Sequence, residues 1–332
     1  MRHSNSRRRH VRALGAGLLA AAFASVHINA SAQDSYPKHP VNVVVGFAAG
    51  GGVDAFARLL STQLSTRLGQ QFIVENRAGA AGLISGDRVA KAQPDGYTLL
   101  LADFSSLAIA AKANPQVTFN IAKDFAPVAM AATMPLVLAV TPSLPVNSLQ
   151  ELVALAKADP KRLMYASPGM ATVHQLSIEW LKQSLGFEMT HVPYRGAAAL
   201  MPDLMSGQVQ VAVMSSASLM AQAKAGQLKV LGVTGKIKVP DAPEWKSLSD
   251  VVPGFDTSPR LFLLAPAGTP APIVASLAAA VKASLESPEL LQGLSKLGGV
   301  VSYAEGPVAV SEMARETAQW SEVVQRAGVK LE

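Results

Sequence analysis

Val43-Val44-Val45-Gly46-Phe47-Ala48-Ala49-Gly50-Gly51-Gly52-Val53-Asp54 is the stretch whose reading decides the fold. A β-branched run reads as a buried strand and gives way to a loop of small residues. Phe56, Leu59, Leu60, Leu64 and Leu68 then recur at helical spacing, and Gly69 supplies a stop. The loop therefore stands at the carboxyl end of a strand and the amino end of a helix. Unpaired N–H groups and a partial positive charge collect at such a place, and glycines let a ligand approach the main chain. The chemistry suits a carboxylate or another anion.

The same rhythm continues outward. Gln71–Glu75 reads as a strand, Asn76 to Gly82 as a second glycine loop, Leu83–Lys91 as a helix and Tyr97–Ala102 as a third strand. Asp103-Phe104-Ser105-Ser106 lies beyond the carboxyl end of that strand. This alternation predicts an α/β chain with a parallel sheet. Phe125–Val140, broken by Pro127 and Pro135, reads as a passage into a second lobe where the rhythm restarts. There Leu163–Ala166 leads into Ser167-Pro168-Gly169-Met170-Ala171-Thr172, and Thr172 with Gln175 fits a capping box. Met189–Pro193 leads into Tyr194-Arg195-Gly196. Lys238–Pro259 reads as the return passage. The expected organisation is residues 33–130 with 241–332 as one lobe, 131–240 as the other, and a cleft between them.

Composition narrows the function. The 332 residues contain no cysteine, which removes disulfides and thiolate chemistry. The net charge of +6 is almost entirely Arg2, Arg7, Arg8, Arg9 and Arg12. These precede an apolar run from Ala13 to Val26 and the triplet Ala30-Ser31-Ala32, the pattern of a cleavable export signal over residues 1–32. Ser6-Arg7-Arg8 partly resembles a twin-arginine signal. The mature chain is then nearly neutral, which takes away electrostatic support for a nucleic-acid partner. His39, His174 and His191 show no metal-binding spacing. No Walker loop, G-x-G-x-x-G or G-x-S-x-G occurs.

Six ordered segments carry a family resemblance. They are Phe47-Ala48-Ala49-Gly50-Gly51 with Asp54, Glu75-Asn76-Arg77-Ala78-Gly79-Ala80 with Gly82, and Pro94-Asp95-Gly96-Tyr97-Thr98-Leu99. Lys123 to Val128, His191 to Gly196, and Leu264 to Pro270 complete the set. Together they resemble the Bug-type receptors, the periplasmic solute-binding proteins of tripartite tricarboxylate transporters. The resemblance implies a two-lobed periplasmic-binding-protein fold of type II. It implies a small organic carboxylate held between the lobes and delivered to the membrane components of the transporter by a monomeric periplasmic protein, without metal or organic cofactor. Carried onto this chain, it points to Phe47, Ala48, Gly50, Gly51, Ser105 and Ser106 in the first lobe. In the second it points to Ser167, Gly169, Thr172 and His174. Pro168 and Met170 depart from the family pattern. So does Met214-Ser215-Ser216, where an aspartate often stands, and this argues against an amino-acid ligand.

Each residue also has a plainer reading. Asp54 reads as structural, Asn76 and Arg77 as fixing the second loop, and Asp203 as a solvated helix face. Ser167 and Thr172 either cap a helix or touch the ligand. His174 reads as a packed histidine. Arg195 either clamps a carboxylate or, as the favoured reading, pairs with an acidic neighbour. The rival functions are a periplasmic sensor subunit and a hydrolase-like enzyme without a recognisable motif. Lobe closure is expected about hinges near Ala129–Pro135 and Lys238–Pro259.

Overall fold

Two sheets organise the computed structural model, which describes residues 36–160 and 162–330; the expected export signal lies outside the described residues. The first half of the chain runs β1 (Val41–Val45), α1 (Gly52–Leu68), β2 (Phe72–Asn76), a 3-10 turn (Ala80–Gly82), α2 (Leu83–Ala90), β3 (Thr98–Asp103), α3 (Phe104–Ala113), α4 (Ile121–Asp124) and β4 (Phe125–Thr133). The middle runs β5 (Leu136–Val140), α5 (Leu149–Ala158), β6 (Met164–Ser167), α6 (Val173–Leu185), β7 (Thr190–Pro193), α7 (Ala197–Ser206), β8 (Val211–Ser215), α8 (Ser216–Lys224) and β9 (Lys229–Val233). The chain returns through β10 (Arg260–Pro266), α9 (Ala271–Leu285), α10 (Pro288–Lys296), β11 (Val300–Ala304) and α11 (Gly306–Ala327).

The six-stranded sheet has the order β11-β4-β10-β3-β1-β2, and the five-stranded sheet the order β7-β6-β8-β5-β9. β1 is parallel to both β2 and β3, as its helical crossovers require. It is buried along most of its length, which is why it reads as a continuous apolar run. α1 buries Phe56, Leu60 and Leu64 against this sheet. Each such side chain contributes about 1.5–3 kcal/mol. β6 is parallel to β7 and β8, whereas β5 is antiparallel to β8 and β9.

The passages between the sheets are shorter than the sequence suggests. Phe125–Thr133 is a full strand of the first sheet, not a linker. Pro127 is tolerated because a register shift falls beside it and the β11 pairing begins only at Met130. The outward passage is Met134–Pro135. On the return, Val239–Ser247 stays with the second sheet: the Val233 N–H donates to Lys246 O at 2.8 Å, and Val233 bridges Ser247. The chain leaves that sheet only around Thr257. The two passages lie side by side, because the Met134 N–H donates to Pro259 O and the Thr234 N–H to Leu136 O.

This arrangement orients both sheets. Asp103, the end of β3, pairs with Leu261 just after the return passage, so the carboxyl ends of β1, β2 and β3 lie on the passage side. The end of β8 lies there too, since the Ser216 N–H donates to Pro135 O. The parallel strands β6 and β7 end on the same side. The loops that leave these strands therefore face one another across the gap between the sheets.

α11 straddles the junction. Its Trp320 ring meets Trp180 of α6 edge-on at 6.0 Å, and Trp180 meets Phe255 at 5.3 Å. Its fully buried Glu316 accepts from Arg260 Nη1 at 3.0 Å and from the Ser105 hydroxyl at 2.7 Å. Arg260 also donates to Asp256 at 2.8 Å. Removing one partner of a buried pair strands the other charge. Arg260→Ala should therefore destabilise the chain by about 3–5 kcal/mol, and Ser105→Ala by less. Urea unfolding of the two variants measures both.

Candidate functional site

The loop after β1 is open to solvent from Ala48 to Gly52. A Cβ at Gly50 would meet nothing within 4 Å, so close packing does not explain the glycine there; its φ of +86° does. Gly46 differs. A Cβ there would stand 2.6 Å from the Ser85 hydroxyl and 2.8 Å from Gly82 Cα, so it marks the place where the two glycine loops touch.

Asp54 holds the first loop in shape. Its carboxylate accepts from the Gly50 N–H at 2.9 Å, from Arg58 Nε at 3.0 Å and from Asn76 Nδ2 at 2.8 Å. Asn76 also donates to Phe47 O at 3.1 Å. Burial would raise the Asp54 carboxyl, but these hydrogen bonds outweigh it and hold the group below the usual carboxylate range. Asp54 is thus structural, as read, but Asn76 serves the first loop rather than the second. Arg77 is closed off by Glu75 at 2.6 Å.

No side chain caps α1. Gly51 is its N-cap and has no side-chain bond to offer. The same holds for α6. Thr172 occupies the N-cap position, but its hydroxyl donates to Gly169 O at 3.0 Å and does not cap the helix. Gln175 reaches back to the Ala171 N–H at 2.8 Å. The expected capping box is therefore not formed. By contrast, α3, α5 and α10 are capped by Asp103, Ser148 and Ser287. α7, which follows β7, is likewise uncapped at Gly196, so α1, α6 and α7, all starting at facing loops, keep first-turn N–H groups free for another acceptor.

The second glycine loop holds a feature that the sequence reading left out. Ala80 and Ala81 have φ of +45° and +51°, and Ala171 in the Ser167–Thr172 loop has φ of +51°. Among the described residues these are the non-glycine positions with positive φ, and all three lie on cleft-facing loops. Each costs about 1 kcal/mol or more. The one available signal was the Gly79-Ala80-Ala81-Gly82 spacing, two alanines held between glycines that themselves adopt positive φ.

The remaining residues singled out in the sequence lie deeper. Ser105 and Ser106 are buried at the start of α3, which begins directly at Phe104 with no loop. Their hydroxyls donate to Glu316 and to Asp103, the latter at 2.8 Å. Asp103 itself is buried beside a cavity of about 10 Å³ lined by Gly46, Phe47, Gly82 and Ser85, room for about one water. Burial without a cation pushes its carboxyl up to about 6, against the hydrogen bonds from Ser106 and Ser105.

Ser167 is fully buried and donates to Gly169 O at 2.8 Å; His191 Nε2 lies 2.7 Å from the same hydroxyl oxygen. A carbonyl can only accept, so the single hydroxyl proton goes to Gly169 and His191 is the donor. Burial lowers His191 to about 4, with Lys182 adding to the effect, so the ring is neutral. A serine nucleophile needs the opposite polarity, with histidine accepting. His174 is packed, and its Nδ1 has no partner; burial lowers it to about 4. Arg195 is exposed and, among the described residues, has no acidic partner. Asp203 accepts from the Tyr194 hydroxyl at 2.6 Å, which corrects both the expected Arg195 ion pair and the solvated reading of Asp203.

The model for the family described as tripartite tricarboxylate transporter family receptor matches residues 56–329. The curated Protein BugT of Bordetella pertussis (strain Tohama I) is 31% identical over 300 residues, covering 90% of this chain and 92% of its own. Among solved structures, R. palustris Rpa4515 with adipate is 32% identical with a TM-score of 0.79, covering 89% of this chain and 99% of its own. MatC (Rpa3494) from Rhodopseudomonas palustris with bound malate is 31% identical with a TM-score of 0.75, covering 87% and 100%.

Two outcomes test this geometry. A raised Asp103 keeps a proton in the folded chain that the unfolded chain has released between about pH 4 and 6, so stability falls as pH rises through that window. Asp103→Asn should flatten this fall, by about 3 kcal/mol at most, in urea titrations across the range. Gly51→Asp places a good N-cap residue at an exposed position with ordinary φ. It should leave the melting temperature equal or slightly raised while its own carboxylate occupies the free N–H groups and abolishes ligand-induced stabilisation.

Proposed function

The chain belongs to the tripartite tricarboxylate transporter receptor family, and on that premise we propose that it captures a small organic carboxylate between its two sheets in the periplasm and delivers it to the transporter's membrane components. The observation that carries this reading is the pair of uncapped helix ends, α1 and α6, on loops that face each other. Adipate and malate in the related structures support a carboxylate as the ligand class.

In this reading one carboxylate lands on the free first-turn N–H groups of α1 just after Gly51, beside Phe47 and Ala48, while Gly50, whose N–H is held by Asp54, shapes the loop. Charge-assisted bonds of this kind contribute about 1.5–3 kcal/mol each. The Ser167–Thr172 loop, with Gly169 and Thr172, closes on it from the other sheet. Ser105, Ser106, Ser167 and His174 act from behind, by holding the loops and the neutral floor of the cleft. We place the lobe changes at Met134–Pro135 and around Thr257–Pro259, and the hinge with them. One chain supplies both halves of the cleft, which supports action as a monomer. The polarity of the Ser167–His191 pair supports binding without hydrolysis.

A thermal-shift screen of small carboxylates against the protein purified from the periplasm tests the reading. A true ligand at a hundredfold its Kd should stabilise the fold by about 2.7 kcal/mol, raising the melting temperature by several degrees. The Gly51→Asp variant should show no such rise. Stabilisation that survives in that variant places the ligand elsewhere.

A further inference from the structure

The strand exits on the two facing edges follow the same order away from the passages. On the six-stranded sheet they are those of β3, β1 and β2; on the five-stranded sheet they are those of β8, β6 and β7. Uncapped helix ends follow the middle exits, after β1 and β6, and also the outermost exit after β7, where α7 starts at Gly196. Each outermost exit carries a guanidinium, Arg77 after β2 and Arg195 after β7. Arg77 is neutralised by Glu75. Arg195 is exposed and, among the described residues, unpaired, because Asp203 is engaged by Tyr194. Its backbone is nonetheless fixed. The Tyr194 N–H donates to Ser167 O at 2.9 Å and the Gly196 N–H to Pro168 O at 3.0 Å, which fastens the Arg195 turn to the loop before α6. Met170, 43% exposed, lies in that loop between Pro168, which holds the Arg195 turn, and the start of α6.

From this placement we infer that Arg195 is a specificity-determining residue that receives the second carboxylate of a dicarboxylate whose first carboxylate sits on the free helix ends. The inference rests on the reading above and adds the far end of the ligand. A guanidinium matches a carboxylate in a planar fork and stays charged at every relevant pH. The apolar Met170 side chain suits the hydrocarbon spacer between two charged ends. A carboxylate bound only at the near end would leave Arg195 in water and gain nothing from it.

The test compares matched acids, for example adipate with hexanoate and benzene-1,4-dicarboxylate with benzoate, together with straight-chain pairs of four to eight carbons. Calorimetry with the periplasmic protein, Arg195→Met and Arg195→Lys reads the outcome. Wild type should bind its best dicarboxylate at least tenfold tighter than the matching monocarboxylate. Arg195→Met should reduce that preference to threefold or less while leaving monocarboxylate affinity unchanged, and Arg195→Lys should fall between. The unliganded melting temperature of both variants should match wild type. A preference that persists in Arg195→Met overturns the inference, as does equal weakening of both acids or a wild type without preference. If wild type binds no acid of either kind, the carboxylate reading itself is overturned, and this result is distinct from failure of Arg195 alone.

Discussion

Two passages of chain, held edge to edge by backbone hydrogen bonds, are the constraint on which this molecule depends. Met134 to Pro259, Thr234 to Leu136 and Thr257 to Thr234 are all N–H to carbonyl contacts between segments far apart in sequence. They fix where each sheet begins relative to the other. Because β3 ends where β10 starts, and β8 ends beside Pro135, the carboxyl ends of β1, β2, β3, β6, β7 and β8 are brought to one gap. Ligand chemistry at strand exits is common in open α/β sheets because loops that leave neighbouring strands for opposite faces open a crevice there. Here two such edges are turned on each other.

What fills the gap is decided by which polar groups are already satisfied. Asp54 uses its lone pairs on Gly50, Arg58 and Asn76, so it shapes the first loop without opposing an anion at its surface. Thr172 turns its hydroxyl back to Gly169, and Ser167 does the same. These hydroxyls are thereby spent on the Gly169 carbonyl, which leaves first-turn main-chain N–H groups and the Arg195 guanidinium as the available donors. Strain at Ala80, Ala81 and Ala171 is consistent with loops shaped for a partner and not for their own stability. Behind them, Ser105, Glu316, Arg260 and Asp256 form a chain of contacts, buried at Ser105 and Glu316, from the first sheet to the return passage and α11. Ser105 thus joins the floor of the cleft to the region where the lobes meet.

Much of the first lobe was legible because its signals are local. The Val41–Val45 run, the glycines after it and the leucine spacing of α1 follow from side-chain periodicity within about thirty residues. Phe125–Val140 misled because Pro127 and Pro135 resemble a linker; the register shift that accommodates Pro127 depends on β10, more than a hundred residues away. Phe104 as a helix start was hidden by an apolar α3 buried throughout most of its length, which shows no amphipathic stripe. Lys238–Pro259 misled for the opposite reason. Its short apolar pieces belong to the second sheet's edge, and proline content alone does not reveal that pairing.

The sequence by itself determined that a carboxylate-friendly turn exists after β1 and that a matching turn, Ser167–Thr172, exists later in the chain, since glycine, small residues and helix starts announce themselves locally. It determined the family for the same reason. Only the tertiary structure decided which hydroxyls are committed, which helix ends stay uncapped, and that Arg195 goes unpaired while Arg77 does not. Those outcomes depend on what stands opposite each group after folding. Hydrogen-bond satisfaction is a property of neighbours in space, and the neighbours of Ser105, Asp54 and Ser167 lie from 2 to 211 residues away.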